Sequence, residues 1–290
     1  MKNIAILLHS LTAEYSIDIL TGINDYFKDK DVKLFIAQIK QPTFSNAYYD
    51  YQYWSGASYL FSEEIDGIII LSGSFSPYFP KCLLEEQLKE FPEKPIISIG
   101  YDIKMNKSYT VVVECEDAFN KIIKHFKEHG CTKFAYMTAN NNLSPESESR
   151  FEAYKKALAK NDIEFNPDFI FRGNFTAKSA EDEFKRLFKK KTDIKFDALL
   201  CANDNMAIGV NKFLKMNRPS CVEEKCAVTG FDDIPQARFE IPSLTTVHQP
   251  MEEIDFKSDS FEDVVAKDTR YNARAYALLA DVIRYLKVFS

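Results

Sequence analysis

The side chains most able to do chemistry are spread thinly along the chain. His125 and His129 stand four apart, a spacing that puts two imidazoles on one helix face and can hold a metal ion. No cysteine or acidic residue stands at a matching spacing, so the pair reads as two polar residues at the end of a surface helix. Asp232 and Asp233 follow an apolar run. Neighbours in a strand point to opposite faces, so these two do not share a proton as an acid/base dyad, and Asp232 reads as an acceptor for ligand hydroxyls. Arg150 lies in Ser147-Glu148-Ser149-Arg150-Phe151 near a helix start. There its guanidinium could fork onto hydroxyls or a carboxylate, or form a surface salt bridge with Glu146 or a nearby acid. Leu71-Ser72-Gly73-Ser74-Phe75 sets a serine after a strand but lacks the second glycine of a nucleophile elbow. Neither phosphate-cradling glycine pattern occurs. No catalytic residue, metal or cofactor is expected.

The elements that must position such residues alternate in type. Short apolar runs, expected as strands, fall at 4–8, 32–39, 67–71, 95–99, 110–113, 133–138, 168–172, 198–202, 227–231 and 244–247. Several are continuously apolar, as in Gly67-Ile68-Ile69-Ile70-Leu71, which suits strands buried on both faces of a parallel sheet. Helical patterns lie between them, near 14–28, 117–129, 145–160, 177–190 and 205–216, with Pro145 in a first turn and Gly130 just past an end. This alternation predicts an α/β chain. Ten strands are too many for one simple sheet, so two doubly wound Rossmann-like lobes with a ligand cleft between them are expected. Ligands in such sheets bind at the carboxyl ends of the strands. The loops there carry Ser, Asn, Asp and aromatic residues, a mixture suited to a polar organic ligand.

Bulk composition narrows the function classes. The chain has 290 residues, 46% hydrophobic and 28% charged, with net charge -6. An acidic chain whose one basic run is Lys189-Lys190-Lys191, at a helix end, is not expected to bind nucleic acid directly. The first strand begins too early for a secretory signal, and no apolar stretch approaches the ~20 residues of a membrane span. Six scattered cysteines without a C-x-x-C pair suit reduced thiols and a cytoplasmic location.

Five stretches taken together resemble the ligand-binding core of the lactose-repressor/galactose-repressor (LacI/GalR) family. They are Ile65-Asp66-Gly67-Ile68-Ile69, Arg150-Phe151-Glu152-Ala153-Tyr154, Phe196-Asp197-Ala198-Leu199-Leu200-Cys201-Ala202-Asn203-Asp204, Val228-Thr229-Gly230-Phe231-Asp232-Asp233-Ile234-Pro235 and Pro242-Ser243-Leu244-Thr245-Thr246-Val247-His248-Gln249-Pro250. The resemblance implies a periplasmic-binding-protein-like type I fold. It implies a first lobe of 1–129 plus 251–265 and a second of 130–250. Arg150 resembles the arginine that forks onto ligand hydroxyls, and Asn203 and Asp232 the polar residues at their strand ends. Phe175 resembles the aromatic that stacks on the ligand, Gln249 a residue at the crossover, and Tyr15 an aromatic of the first strand-end loop. Glu114 and Asp117 lie near a further acid of the site.

Two departures shape the functional expectation. The family carries an N-terminal helix-turn-helix, and here the first strand starts at residue 4, so operator binding by this chain is not expected. After Pro250 the family pattern breaks, and 266–290 reads as a helix that could serve an interface or link to an output domain; Tyr276, Leu279, Ile283 and Leu286 have coiled-coil-like spacing. The aromatic stretch 44–61 is either core or a subunit interface, and a homodimer is expected. The leading function is a sensor of a sugar-like or other polar metabolite that signals by lobe closure. The alternatives are a regulator acting on DNA through a reading head not in this chain, and a hydrolase using the cleft.

Overall fold

The structure is a computed structural model that describes residues 1–39, 55–62, 64–76, 78, 80–89, 94–105, 108–113, 115–139, 144–189, 195–217 and 222–249. Residues 44–54, Glu114 and both C-terminal expectations, 251–265 and 266–290, lie outside the described residues.

Among the described residues nine strands form two sheets, every pair parallel. The first holds β1 (Lys2–Leu8), β2 (Val32–Gln38), β3 (Gly67–Ile70), β4 (Ile96–Ile99) and β5 (Ser108–Val111), in the order β2-β1-β3-β4-β5. The second holds β6 (Phe134–Ala139), β7 (Ile170–Gly173), β8 (Phe196–Cys201) and β9 (Val222–Thr229), in the order β7-β6-β8-β9. In both, the strand order reverses between the first strand and the third, which is where ligands bind in doubly wound sheets.

The helices are α1 (Glu14–Phe27), α2 (Ser72–Phe75), α3 (Lys81–Leu88), α4 (Glu116–Glu128), α5 (Pro145–Lys160), α6 (Ala177–Lys189), α7 (Asp204–Asn217) and α8 (Pro235–Phe239). The first sheet is buried on both faces. Ala5 and Leu7 of β1 enter one apolar cluster with Ile68 and Ile70, while Ile4, Ile6 and Leu8 enter another with Ile69 and Leu71. The period of two that makes this division is local to the strand, so the apolar runs were legible. No helix among the described residues is long and apolar enough to cross a membrane.

The chain divides at Glu114/Cys115, so α4 belongs to the second unit, Cys115–Gln249, and not to the first lobe as expected. The cause is packing. Phe119, Ile123 and Phe126 sit in the second unit's core, and Asn161 of the α5 end donates to Asn120 at 2.9 Å. The tenth expected strand, 244–247, does not form as a strand. It makes isolated bridges at Thr229↔Thr245 and Asp232↔His248, with Gly230 and Asp232 N–H groups donating to the Thr245 and Val247 carbonyls at 2.9 Å each. Asp232 and Asp233 adopt φ of 120° and 56°, which turns the backbone out of the ladder. Residues 72–75 form α2 directly after β3.

Candidate functional site

The second unit's carboxyl edge is built around Arg150. Ser144 caps α5, its hydroxyl accepting from Ser147 N at 3.2 Å, and Pro145 occupies the first turn. The Ser147 hydroxyl accepts from Ala139 N at 3.1 Å, which ties this turn to the end of β6. One turn on, Arg150 is 6% exposed. Its Nη1 donates to the Ala202 carbonyl, just past β8, at 2.5 Å and stands 3.3 Å from Asp232 Oδ1. Its Cζ lies 4.2 Å from the centre of the Phe231 ring. Arg150 thus reaches across the reversal point between β6 and β8, and its Nε and Nη2 have no acceptor among the described residues.

Asp232 is held in turn by Gln249, whose amide donates to Oδ1. Its side chain is 28% exposed. Burial pushes its carboxyl up to about 7, against the opposing pull of Arg150. Burial also raises Glu146, again opposed by Arg150. For Arg150 burial works against the charge, but Asp232 and Glu146 outweigh it, and its pKa stands above the ordinary value. The ion pair that forms is therefore with Asp232, in partly dry surroundings, and not a surface bridge with Glu146.

The turn that carries Asp232 is gripped by Asp204. Asp204 N donates to the Phe231 carbonyl at 2.8 Å, and its carboxylate accepts from Ile234 N at 2.9 Å and the Thr246 hydroxyl at 2.5 Å. The approach is so close that a Cβ on Gly230 would lie 1.9 Å from Asp204 Oδ1. Asp233 points elsewhere, to Arg238 at 3.3 Å and His248 Nδ1 at 3.1 Å. The two aspartates serve different partners and form no dyad.

Arg150, Asp232 and Gln249 are therefore brought together. Asn203 and Phe175 meet each other at the same edge. The Asn203 amide donates to the Phe175 carbonyl at 3.0 Å, and its Oδ1 accepts from Met206 N at 3.0 Å, capping α7. The other Asn203 side-chain N–H has no acceptor among the described residues. Phe175 has φ of 58°, and its ring is half-buried against the core. Asp117 sits in the first turn of α4, half a turn from the core residue Phe119. Tyr15 belongs to the first unit, where its hydroxyl donates to the Ile99 carbonyl at 3.4 Å and its ring packs on that unit's core.

Sequence reading missed three contributors. The Ala202 carbonyl acts through backbone and has no side-chain signature. Phe231 and Asp204 stood inside quoted motifs, but only the fold puts them against Arg150 and the Asp232 turn.

The first unit's carboxyl edge is chemically different. The Ser72 hydroxyl donates to the Ile99 carbonyl at 2.9 Å and accepts from Tyr101 N at 2.9 Å and from the Ser98 hydroxyl at 2.8 Å. A hydroxyl so engaged, with no imidazole against it, is not an activated nucleophile. His9 and Tyr78 rings stack nearby at 4.2 Å. Among the described residues no group of three or more metal-ligating side chains occurs. His129 Nδ1 is turned onto the His125 carbonyl at 2.8 Å.

Comparison with known proteins meets this geometry. Residues 123–254 match a periplasmic binding protein-like domain. The HTH-type transcriptional regulator AscG of Escherichia coli is 29% identical over 199 residues, which are 68% of this chain and 56% of that protein. The HTH-type transcriptional repressor PurR of Vibrio campbellii is 24% identical over 229 residues, 77% of this chain and 64% of that protein. The chain is thus similar to the ligand-binding core of LacI/GalR-type regulators. A solved complex of the transcriptional regulator CelR with cellobiose shares the fold, with TM-score 0.70 and 16% identity over 100% of this chain and 79% of that one. The fold is periplasmic-binding-protein-like type I. The chain spans 56% and 64% of the two curated relatives' lengths, and four of the five motifs, all but that at 65–69, supply Arg150, Ala202, Asn203, Asp204, Phe231, Asp232 and Gln249, every one at the second unit's carboxyl edge.

Proposed function

We propose that this chain is the sensing module of a transcriptional regulator. It binds a small polyhydroxylated or similarly polar metabolite through Arg150, Asp232, Asn203, Phe175 and Gln249 and does no chemistry on it. One observation carries the reading. A nearly buried guanidinium has Nη1 committed to protein acceptors while its Nε and Nη2 have none among the described residues, beside a carboxylate that water still reaches. Donors and acceptors side by side suit a ligand hydroxyl, which accepts from one group and donates to the other. Cellobiose, held in the solved CelR complex, is of that class.

The output proposed is control of transcription by a cytoplasmic homodimer through a DNA-reading head. The support is that the curated relatives are HTH-type regulators longer than the matched region. The proposed signal is lobe closure, which needs a ligand that favours the closed state over the open one; small-angle scattering with and without ligand reads it. For the site, native mass spectrometry identifies a co-purified molecule and calorimetry measures its affinity. Arg150→Ala and Asp232→Ala each weaken binding by about 1–3 kcal/mol, because a buried partner is left unpaired. Unchanged affinity in both variants would remove the site.

A further inference from the structure

We propose that Phe231 is the positioning residue for Arg150: its ring fixes the plane of the guanidinium, so that the Nε and Nη2 edge is held ready for a ligand. The idea deepens the ligand-binding reading of Arg150 and rests on it for its purpose, though not for its geometry.

An arginine side chain has many rotamers, and one anchored at a single nitrogen can still swing about its last bonds. Among the described residues Arg150 has only Nη1 engaged, with the Ala202 carbonyl at 2.5 Å and Asp232 Oδ1 at 3.3 Å. Both partners constrain the same corner of the guanidinium. What constrains its face is Phe231, 4.2 Å from Cζ, within the range of a cation–π contact. Phe231 is 1% exposed, and Phe119 stacks with it at 5.7 Å and 21°. Its carbonyl accepts from Asp204 N at 2.8 Å. The ring is thus held by a second ring and by the backbone, while the arginine rests on it.

The backbone at Asp232 belongs to the same device. Consecutive residues of a strand point to opposite faces, so an extended 231–232 pair could not address one group with both side chains. Asp232 has φ of 120°, a conformation that side-chain-bearing residues rarely adopt. With that turn both side chains address the guanidinium, Phe231 with its ring centre 4.2 Å from Cζ and Asp232 with Oδ1 3.3 Å from Nη1. The Gln249 amide on Asp232 and the Asp204 grip on Ile234 and Thr246 hold the turn in place.

The test uses the full chain, dialysed free of small molecules, and the nitrogen-15 NMR signal of the Arg150 Nε–H, identified by its loss in Arg150→Lys. In the wild-type protein this signal is displaced by the ring current of Phe231 and exchanges slowly with water. Phe231→Leu removes the displacement and speeds exchange by about tenfold, in keeping with the loss of a desolvated cation–π contact. Phe231→Tyr restores both. Fluorinated phenylalanines at 231, which keep the ring's shape and drain its negative face, speed exchange stepwise with each added fluorine; they decide the matter if Phe231→Leu does not fold. A residue that merely fills the core would lower the melting temperature on substitution and take its ring-current displacement with it, but leave the Arg150 Nε–H exchange rate unchanged. An unchanged exchange rate in a folded Phe231→Leu protein, or across the fluorinated series, overturns the proposal. No ligand enters the measurement, so the proposal can fail while Arg150→Ala still weakens ligand binding, and the reverse.

Discussion

At the carboxyl ends of β6, β8 and β9 the second unit buries an arginine against a carboxylate. At the corresponding ends of β1, β3 and β4 the first unit buries two serine hydroxyls and the backbone of Tyr101. The strand order is the same at both reversal points, second, first, third, fourth. The polar atoms differ in what they leave over. Ser98 donates to Ser72 at 2.8 Å and contacts the Tyr101 carbonyl at 2.5 Å, and Ser72 is likewise occupied on every side. That cluster is closed and stabilises the turn after β4. The Arg150 cluster is open, with donors unspent and an acid pushed away from its ordinary charge state. A shared topology places a site without filling it with chemistry.

The contrast can be broken most sharply through pH. Asp232 titrates at about 7 in the folded protein against an ordinary 3.8. A carboxyl raised on folding contributes stability that is complete below its unfolded value and lost as pH climbs through its folded one. The second unit should therefore lose stability between those two values, and Asp232→Asn should flatten that slope. Urea denaturation at a series of pH values, followed by a second-unit probe, decides it; an unchanged slope refutes the open-cluster account. Arg150→Met comes next. It leaves the Asp232 charge without its partner and should cost about 3 kcal/mol on the alkaline side of that range, and less on the acid side where Asp232 is neutral. Equal costs at both ends would show that the pair is not coupled.

Gly230→Ala drives a Cβ against the buried Asp204 carboxylate and should destabilise the second unit by about 2 kcal/mol, visible as a lower urea midpoint. Ser98→Ala is the control in the closed cluster. It should cost the first unit about 1 kcal/mol and leave ligand affinity, measured by calorimetry, where it was. A changed affinity would mean that the first unit's serines are not the inert counterpart drawn above.

The strands from β1 to β9 and the five long helices could be read from the chain because their signals are local. A run such as Ile68-Ile69-Ile70 states that both faces are covered, and Ser144-Pro145 marks where α5 begins. Residues 244–247 looked equally strand-like, since Leu244 to Val247 are as apolar and β-branched as a true strand. What prevents a ladder there is the positive φ of Asp232 and Asp233 on the opposing segment, which nothing in 244–247 reveals. The motif resemblance named Arg150, Asp232 and Gln249 together, and the fold brings the three into contact; Glu146 was offered as a partner for Arg150 on nearness in sequence alone.

What the sequence by itself determined is the alternation of elements and the side of each that is buried, because hydrophobic periodicity is written within a few residues. What only the tertiary structure decided is which groups face Arg150: a carbonyl 52 residues away, a ring from Phe231 and a carboxylate from Asp232. Those pairings depend on strand order and on how far water is excluded, and both are properties of segments distant along the chain that meet only when the sheet has formed.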